Sequence, residues 1–261
     1  MKKFLVLAAM TASFFAAQLD AFGWGSSGHD AITAIAERHL TKKAKAKVEA
    51  ILGGKSIVYY AKWMDNYRHT PEYGYTTNWH VSHVDENLNP VIAEKHGRYN
   101  GDALYGLQKV MPVMENYKDY DDSTVTVNLK MLIHLIADMH CPVHIYYPNH
   151  KGYSVIIGGK RVGHHALWDS ALIDNVHHWS YTEYADMLDR ADKDEIAGIC
   201  EGSFTDWVAE SAKRCEVIYS WVHEQDQEID QDYKNKAILL AEHQIMIAGY
   251  RLAHVLNQLF G

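Results

Sequence analysis

Two histidine–aspartate pairs in this sequence have the spacing that places both side chains on one face of a helix. They are His134 with Asp138 and His165 with Asp169. Neutral imidazole and ionised carboxylate are donors that zinc accepts. A single pair of this kind is usually part of a solvated helix face. Here apolar residues flank both pairs, and a buried aspartate needs a compensating partner, so the pairs predict a metal site.

Three more potential ligands lie outside these pairs. His144 follows Pro142, which interrupts a helix and lets the histidine point in a new direction. Asp65 is near the end of a predicted helix, and His80 is in a predicted loop. The chain contains 17 histidines, so those without a spacing pattern are predicted to be ordinary surface or core residues.

The N-terminus has the pattern of a secretory signal peptide. Lys2–Lys3 form a basic region, Phe4–Ala17 is almost continuously apolar, and Ala21–Gly23 has small residues at the cleavage positions. Cleavage there would make Trp24 the first residue of the mature protein. Its free amine and carbonyl oxygen could then chelate a metal together with His29.

Composition limits the class of protein. Residues 24–261 are enough for one domain, and with residues 1–23 removed we expect a secreted or periplasmic monomer without a membrane anchor. The formal net charge of −8 excludes polyanion binding through a generally basic surface, so a phosphate substrate would need local cations.

Three cysteines are an odd count for an exported protein: Cys200 and Cys215 could pair, which would leave Cys141 free.

The elements that must hold these donors are predicted to be mainly helices. Ser27 and Thr41 are predicted to cap the first two, and His69–Asn100 is predicted to be a long loop. Apolar periodicity predicts further helices over Ser56–Arg68, Asp102–Tyr117, Ser123–His140, His165–Val176, Phe204–Glu224 and Asp232–Leu259. Tyr153–Ile157 and Lys160–Gly163, joined by two glycines, predict a small β-hairpin. The last helix is predicted to be buried through Ile238, Leu239, Ile245, Ile247, Leu252 and Leu256. The predicted fold class is therefore mainly α, a single compact helical domain with a small hairpin.

Taken in order, the donor residues resemble those of the three-zinc single-strand-specific nucleases, which also have 3′-nucleotidase activity. That family is similar in fold to the zinc-dependent bacterial phospholipases C. The resemblance rests on the motifs Trp24-x4-His29, Asp65-x2-Arg68, Trp79-His80, His134-x3-Asp138-x5-His144 and His165-x2-Trp168-Asp169. It covers the chain from Trp24 to Asp169, and the remainder has compatible helical character.

The resemblance implies three zinc ions held by nine residues, with Asp138 shared between two ions. The ligands it implies are Asp65, His80, His134 and Asp138 for the first zinc, His144, His165 and Asp169 for the second, and His29, Asp138 and the main-chain amine and carbonyl of Trp24 for the third. Three Zn²⁺ ions and three carboxylates would leave a net charge of about +3, which would attract a phosphodiester to an acidic chain.

The implied activity is hydrolysis of single-stranded DNA and RNA to 5′-nucleotides by a zinc-bound hydroxide. The catalytic residues it implies are Arg68 and Asp65, with the guanidinium hydrogen-bonding the charge that develops on the phosphate oxygens. Arg68 is equally suited to interact with a helix C-terminal dipole. Comparable cleavage of duplex and single strands would count against the single-strand preference.

The implied nucleobase contacts depart from the family pattern. Val81 occupies the position of a stacking aromatic residue, and Asp85 stands two residues beyond the expected base-contacting aspartate, where this chain has His83. Tyr75 and Trp79 could supply stacking surface or could pack the loop onto the helices.

Two other functions remain open at the level of sequence. A phospholipase C-like phosphodiesterase is disfavoured because those enzymes space the N-terminal tryptophan and histidine further apart and end with H-x-x-x-E. A non-catalytic zinc-binding module is the second alternative, and Val81 is the residue that supports it.

Overall fold

A computed structural model describes residues 24–95, 100–148 and 152–261, so the predicted leader over residues 1–23 lies outside the described residues. The described chain is mainly α-helical, as predicted. Its helices are α1 (Ser26–Arg38), α2 (Lys42–Ile51), α3 (Trp63–Tyr67), α4 (Ala103–Glu115), α5 (Asp122–Asp138), α6 (His164–Ala166), α7 (Leu172–Val176), α8 (Tyr181–Leu188), α9 (Lys193–Ile199), α10 (Phe204–Ser220) and α11 (Gln231–Phe260).

Two small sheets accompany the helices. The strands are β1 (Ser82–Val84), β2 (Pro90–Val91), β3 (Ile145–Tyr146), β4 (Ser154–Ile157), β5 (Lys160–Gly163) and β6 (Gln227–Glu228). The first sheet has the order β2-β1-β3, and β1 runs parallel to β3 with Ser82 opposite Ile145. His144 immediately precedes β3, and His80 is two residues before the start of β1, so the parallel pairing sets the two histidines at the same end of the sheet.

The first two helices differ in how they begin. The Thr41 hydroxyl accepts a hydrogen bond from the Ala44 amide, so Thr41 caps α2 as predicted. The prediction that Ser27 caps α1 is wrong, because Gly25 is the N-cap and the helix already includes Ser27. The Ser27 hydroxyl instead donates to the Asp174 carboxylate, and the Gly25 amide donates to the backbone carbonyl of Asp169.

The region between α2 and α4 is more broken and more ordered than predicted. The helix predicted over Ser56–Arg68 divides into a 3-10 turn at Ile57–Tyr60 and the short helix α3. The loop predicted over His69–Asn100 contains a 3-10 segment at Gly74–His80 and the strands β1 and β2. Strand β1 pairs with the distant strand β3, and β2 pairs in turn with β1. Local periodicity does not reveal the distant pairing.

The hairpin β4–β5 and the helices α4, α5, α10 and α11 confirm their predictions. The largest difference is at the end of α10, which stops at Ser220 because the chain turns there to add β6 to the second sheet. The segment predicted as one helix over His165–Val176 contains a π-helical turn at Leu167–Ala171. Helices α8 and α9 were not predicted, although both begin with capping boxes, Ser180 with Glu183 and Asp192 with Glu195.

Helix α11 lies at the centre of the core and packs against α1, α2, α5, α7 and α8. Five of its six predicted core residues are buried, but Leu239 is 68% exposed, because its position on the helix faces away from these neighbours. In the described ranges, no helix combines the length and the apolar character needed to cross a bilayer.

Candidate metal centre

The His134–Asp138 pair lies in the last turns of α5, and both side chains are fully buried. His134 Nε2 is 3.0 Å from Asp138 Oδ2. Its other ring nitrogen, Nδ1, is 2.8 Å from the Ala61 carbonyl oxygen. Because a carbonyl can only accept, Nδ1 must carry the proton in neutral His134, and the Nε2 lone pair faces the carboxylate.

Three further elements bring donors to this pair. His29 from α1 has Nε2 at 3.3 Å from Asp138 Oδ1, and His80, which ends the 3-10 segment, has Nδ1 at 2.8 Å from Asp138 Oδ2. Asp65 from α3 has Oδ1 at 3.6 Å from His80 Nδ1 and 3.8 Å from His134 Nε2. Residues predicted from four separate segments therefore surround one carboxylate.

A second group adjoins the first through His144. Its Nδ1 is 3.6 Å from Asp138 Oδ1, and its Nε2 is 3.5 Å from Asp169 Oδ1. His165 Nε2 is 3.1 Å from the other carboxylate oxygen of Asp169, and the His144 and His165 rings stack with centroids 5.0 Å apart. The structure thus brings together the three residues predicted for a second ion.

The Trp24 segment reaches the same place. Trp24 is fully buried, and the Gly25 amide donates to the Asp169 backbone carbonyl. A Cβ atom at Gly25 would lie 2.7 Å from the Ser170 Cβ, and one at Gly28 would lie 2.9 Å from the Trp24 Cβ. Both glycines are therefore required for the close approach that holds Trp24 beside the second group.

One residue near the donors was missed by the sequence analysis. Cys141 is fully buried, and its sulfur forms a group with donor atoms of His144 and Asp169 that all lie within 4.8 Å of one another. The spacing Asp138-x2-Cys141-x2-His144 carried this information, since cysteine is itself a zinc ligand type. Cys200 and Cys215 are also free and buried, so the considered disulfide between them is not formed.

The donor set fits a cation better than it fits a hydrogen-bond network. Several of its buried atoms have no hydrogen-bond partner among the described residues: both ring nitrogens of His29, Nε2 of His80, Oδ1 of Asp65 and Oδ1 of Asp138. An unsatisfied buried polar atom costs about 1–3 kcal/mol, so a cluster of them is unfavourable unless something else binds it. Neutral imidazoles and carboxylates are zinc donors.

Burial and charge set the protonation of the cluster. Burial lowers the pKa of His29 and of His80 and so disfavours their charged forms. Burial opposes ionisation of Asp138, but His134 and His144 outweigh it and hold the pKa of Asp138 well below its ordinary value. Burial also opposes protonation of His134, yet Asp138 and Asp65 raise the pKa of His134 to about 9. Without a metal, a proton on His134 therefore balances the buried carboxylate.

The other predicted site residues lie around these groups. Arg68 is buried at the C-cap of α3, with its Nε 3.9 Å from Asp65 Oδ1. Val81 lines a cavity of about 390 Å³ together with Tyr146 and with His165 of the second group. Asp85 instead stabilises the turn between β1 and β2. Its carboxylate accepts hydrogen bonds from the backbone and side chain of Asn89 and from the backbone amide of Asn87.

The two aromatic residues of the preceding segment differ in exposure. Trp79 is buried, donates its indole N–H to the Asn100 carbonyl, and contacts Tyr75 edge-on at 5.3 Å between centroids. These contacts are those of a packing residue. Tyr75 is half exposed, so one of its faces is accessible.

Fold and site together define a mainly helical protein with adjoining histidine and aspartate groups of the metal-binding type beside an open cavity. Residues 24–261 match the model of the S1/P1 nuclease family. The chain belongs to this family and is a hydrolase acting on ester bonds.

Individual relatives are distant but cover nearly the whole chain. Nuclease PA3 from a Penicillium species is 24% identical over 91% of this chain and 98% of its own length. Nuclease S1 from Aspergillus oryzae is 24% identical over 89% of this chain and 90% of its own length. Endonuclease 2 from Arabidopsis thaliana is 22% identical over 92% of this chain and 91% of its own length.

Proposed function

We propose that this protein is a zinc-dependent phosphodiesterase that hydrolyses single-stranded DNA and RNA to 5′-nucleotides and also acts on 3′-nucleotides. The observation that supports this most directly is the position of Asp138. Its two oxygens lie between two adjoining donor groups, and the second group borders a cavity through His165. In a chain of the S1/P1 nuclease family, this arrangement favours phosphate-ester chemistry.

The proposed zinc ligands are the nine predicted residues, with Asp138 shared between two ions. They are Asp65, His80, His134 and Asp138 for one zinc, His144, His165 and Asp169 for a second, and His29, Asp138 and the Trp24 main chain for a third. Zinc, when bound, supplies Lewis acidity toward phosphate oxygens and lowers the pKa of bound water toward neutrality. The chain's own contribution is a buried set of oriented lone pairs.

Arg68 is proposed to bind the substrate phosphate. Its guanidinium is buried beside Asp65, so the side chain is held in place before substrate arrives. A planar guanidinium can donate two hydrogen bonds to the non-bridging oxygens, where negative charge grows during hydrolysis. Asp65 orients this arginine as well as offering a ligand atom.

The cavity beside the second group is proposed to receive the nucleoside. Its volume of about 390 Å³ suits one small ligand rather than a duplex. Val81 offers an apolar wall, and Tyr146, half exposed, offers a ring on which a base could stack. A single strand can turn one base into such a cavity, whereas a duplex must first unpair. Asp85 is a weaker candidate for base contact because its carboxylate is engaged in the turn.

The third proposed zinc depends on processing. We propose that residues 1–23 are a signal peptide, that residues 24–261 form the mature nuclease, and that the mature protein is exported, monomeric and not anchored to a membrane. The hydrogen bond from the Gly25 amide to the Asp169 carbonyl supports only the ligand role of Trp24, because Trp24 adjoins Gly25 and Asp169 is itself a proposed ligand.

The test uses protein that begins at Trp24. Zinc content would be measured, followed by hydrolysis of single-stranded DNA, RNA, duplex DNA, 3′-AMP and lecithin. We expect three zinc ions per chain, cleavage of single strands well above duplex, and phosphate release from 3′-AMP. Asp138→Ala should lose two zinc ions and all activity, while Asp119→Asn, at an exposed aspartate, should lose neither.

Three results would contradict the proposal. Full zinc occupancy without hydrolysis would indicate a non-catalytic zinc-binding module. Release of phosphocholine from lecithin would indicate a phospholipase C. An Asp138→Ala protein that retains three zinc ions would show that Asp138 does not bridge.

A further inference from the structure

Cys141 stands in a rigid turn between two proposed ligands. Its amide donates to the Asp138 carbonyl at 2.9 Å, and its own carbonyl accepts from the His144 amide at 3.0 Å. The next residue is Pro142, which restricts the backbone further. The side chain is fully buried. The thiol therefore has little freedom to point anywhere except where the turn directs it.

That direction is the Asp169 carboxylate. Cys141 Sγ is 3.6 Å from Asp169 Oδ1 with the geometry of an S–H···O hydrogen bond. The other oxygen, Oδ2, is buried, has no hydrogen-bond partner among the described residues, and lies 3.1 Å from His165 Nε2. The two oxygens of Asp169 thus have different environments: Oδ1 accepts from the thiol and lies 3.5 Å from His144 Nε2, whereas Oδ2 faces His165 and accepts no hydrogen bond from the described residues.

We propose that Cys141 is a positioning residue for the second metal site, and this rests on the proposed zinc binding. Its thiol donates to Asp169 Oδ1, stops the carboxylate from rotating, and directs Oδ2 toward the ion held with His144 and His165. Hydrogen bonds to ligating carboxylates tune metal sites in this way, and their loss typically costs about 10–100-fold in metal affinity.

The competing role is direct ligation by a Cys141 thiolate. Added to His144, His165 and Asp169, a thiolate would complete four protein ligands, which is the arrangement of closed structural zinc sites. A phosphodiesterase needs an open position for water or substrate at such an ion. A donating thiol keeps that position available.

The experiment compares Cys141→Ala and Cys141→Ser with Cys215→Ala in protein that begins at Trp24. Cys215 is an equally buried cysteine whose sulfur accepts from Gln244 instead of contacting a proposed ligand. Zinc affinities would be measured by chelator competition. Cobalt-substituted protein would be examined by absorption, and unfolding of the metal-free forms would be followed by circular dichroism.

We expect Cys141→Ala to weaken one of the bound zinc ions by about 10–100-fold and to leave the others unchanged. Cys141→Ser should recover most of that affinity, because a hydroxyl can donate to the same oxygen. Cys215→Ala should destabilise the metal-free fold about as much as Cys141→Ala but leave all zinc affinities unchanged. Wild-type cobalt protein should lack a sulfur-to-cobalt charge-transfer band.

Two results would overturn the inference. A charge-transfer band that disappears in Cys141→Ser would show that Cys141 is itself a metal ligand. Zinc affinities in Cys141→Ala equal to those of the wild-type protein would show that the contact between Cys141 and Asp169 contributes only to packing. Metal binding without hydrolysis would refute the proposed function alone, since the affinity comparison does not use activity. Failure of the wild-type protein to bind zinc would refute both.

Discussion

The contacts of Asp138 are not those of an ordinary ion pair. Its oxygens lie within 3.6 Å of imidazole nitrogens from His29, His80, His134 and His144. Four protonated imidazoles around one carboxylate would repel each other strongly in a buried site. Burial lowers the pKa of His29 and of His80, which favours the neutral form of these two rings. Neutral rings around a carboxylate form no salt bridge with it, and this arrangement is the one expected of the proposed metal ligands.

The metal-free protein is expected to lose stability as the pH rises from about 6.5 to about 9. The pKa of His134 is raised from 6.5 to about 9 by Asp138 and Asp65 against the effect of burial. A raised pKa contributes stability that is complete below the unfolded value and is lost as the pH rises through the folded value. Denaturant unfolding of chelator-treated protein across this range measures the effect.

The matched variant is Asp138→Asn, which removes the principal charge that raises the pKa of His134. Its metal-free stability should be nearly flat across the same pH range. Zinc should also flatten the dependence in the wild-type protein, because a bound cation replaces the proton. A metal-free wild-type protein whose free energy of unfolding stays constant or rises between pH 6.5 and 9 would contradict the assignment.

Arg68→Lys should lower kcat by about 10²-fold with little change in zinc content, because an ammonium cannot donate two parallel hydrogen bonds to a phosphate. Arg68 is 4% exposed and is the C-cap of α3. Its alternative role is therefore to stabilise the helix by placing a positive charge at the negative end of the helix dipole. Lysine preserves that role. Steady-state kinetics on 3′-AMP with thermal unfolding of the same sample separate the two, and unchanged kcat would leave only the helix-capping role.

At the scale of elements, the beginning of α1 links the first helix to the π-helical turn that carries Asp169. The link is the hydrogen bond from the Gly25 amide to the Asp169 carbonyl. It explains why α1 begins without a side-chain cap: the backbone at its start is used for tertiary contact. Helix ends that are left uncapped are usually satisfied by such a partner.

Gly25→Ala should destabilise the protein by about 1–3 kcal/mol, because the new Cβ would lie 2.7 Å from Ser170 Cβ and 2.9 Å from the Asp169 carbonyl oxygen. Displacement of this segment should also weaken metal binding. Gly198→Ala is the control, since that glycine is in α9 and has open space around it. It should stabilise the fold by about 0.5–1 kcal/mol. Equal effects of the two substitutions on unfolding would refute the close approach.

At the scale of the whole molecule, the charge of the chain and its proposed substrate must be reconciled. A protein with a net charge of −8 repels a polyanion at long range. The proposed zinc ions would reverse the sign only inside the cleft, at the cost of a strict requirement for the metal. Chelation should therefore remove both activity and part of the stability, since the site contains buried polar atoms without hydrogen-bond partners among the described residues, and a bound cation stabilises the folded state.

An extra residue before Trp24 should cost the protein one zinc ion. A peptide nitrogen is not a basic amine, so an extended chain would lack the proposed terminal ligand while retaining His29 and Asp138. Metal analysis of protein that begins at Trp24, compared with protein carrying one added glycine, measures this. The two other zinc ions serve as internal controls, and equal zinc content in both proteins would refute terminal ligation.

Local sequence patterns predicted much of the fold. The capping of α2 by Thr41, the β4–β5 hairpin and the long apolar helix α11 all depend on residues close in sequence. The errors have a common cause. Ser27 is inside α1 because the Gly25 amide donates to the distant Asp169 carbonyl, and Leu239 is exposed because no element of the described ranges covers that side of α11.

The sequence by itself determined the donor types, the helical pairs and, through family resemblance, the set of proposed ligands. Only the tertiary structure decided that His80 meets Asp138, 58 positions away, that Cys141 faces Asp169, and that Asp85 is held in a turn. The physical reason is the distance along the chain over which each kind of interaction acts. Periodicity and capping act within a few residues, whereas the convergence of donors depends on strand pairing and helix packing across the whole chain.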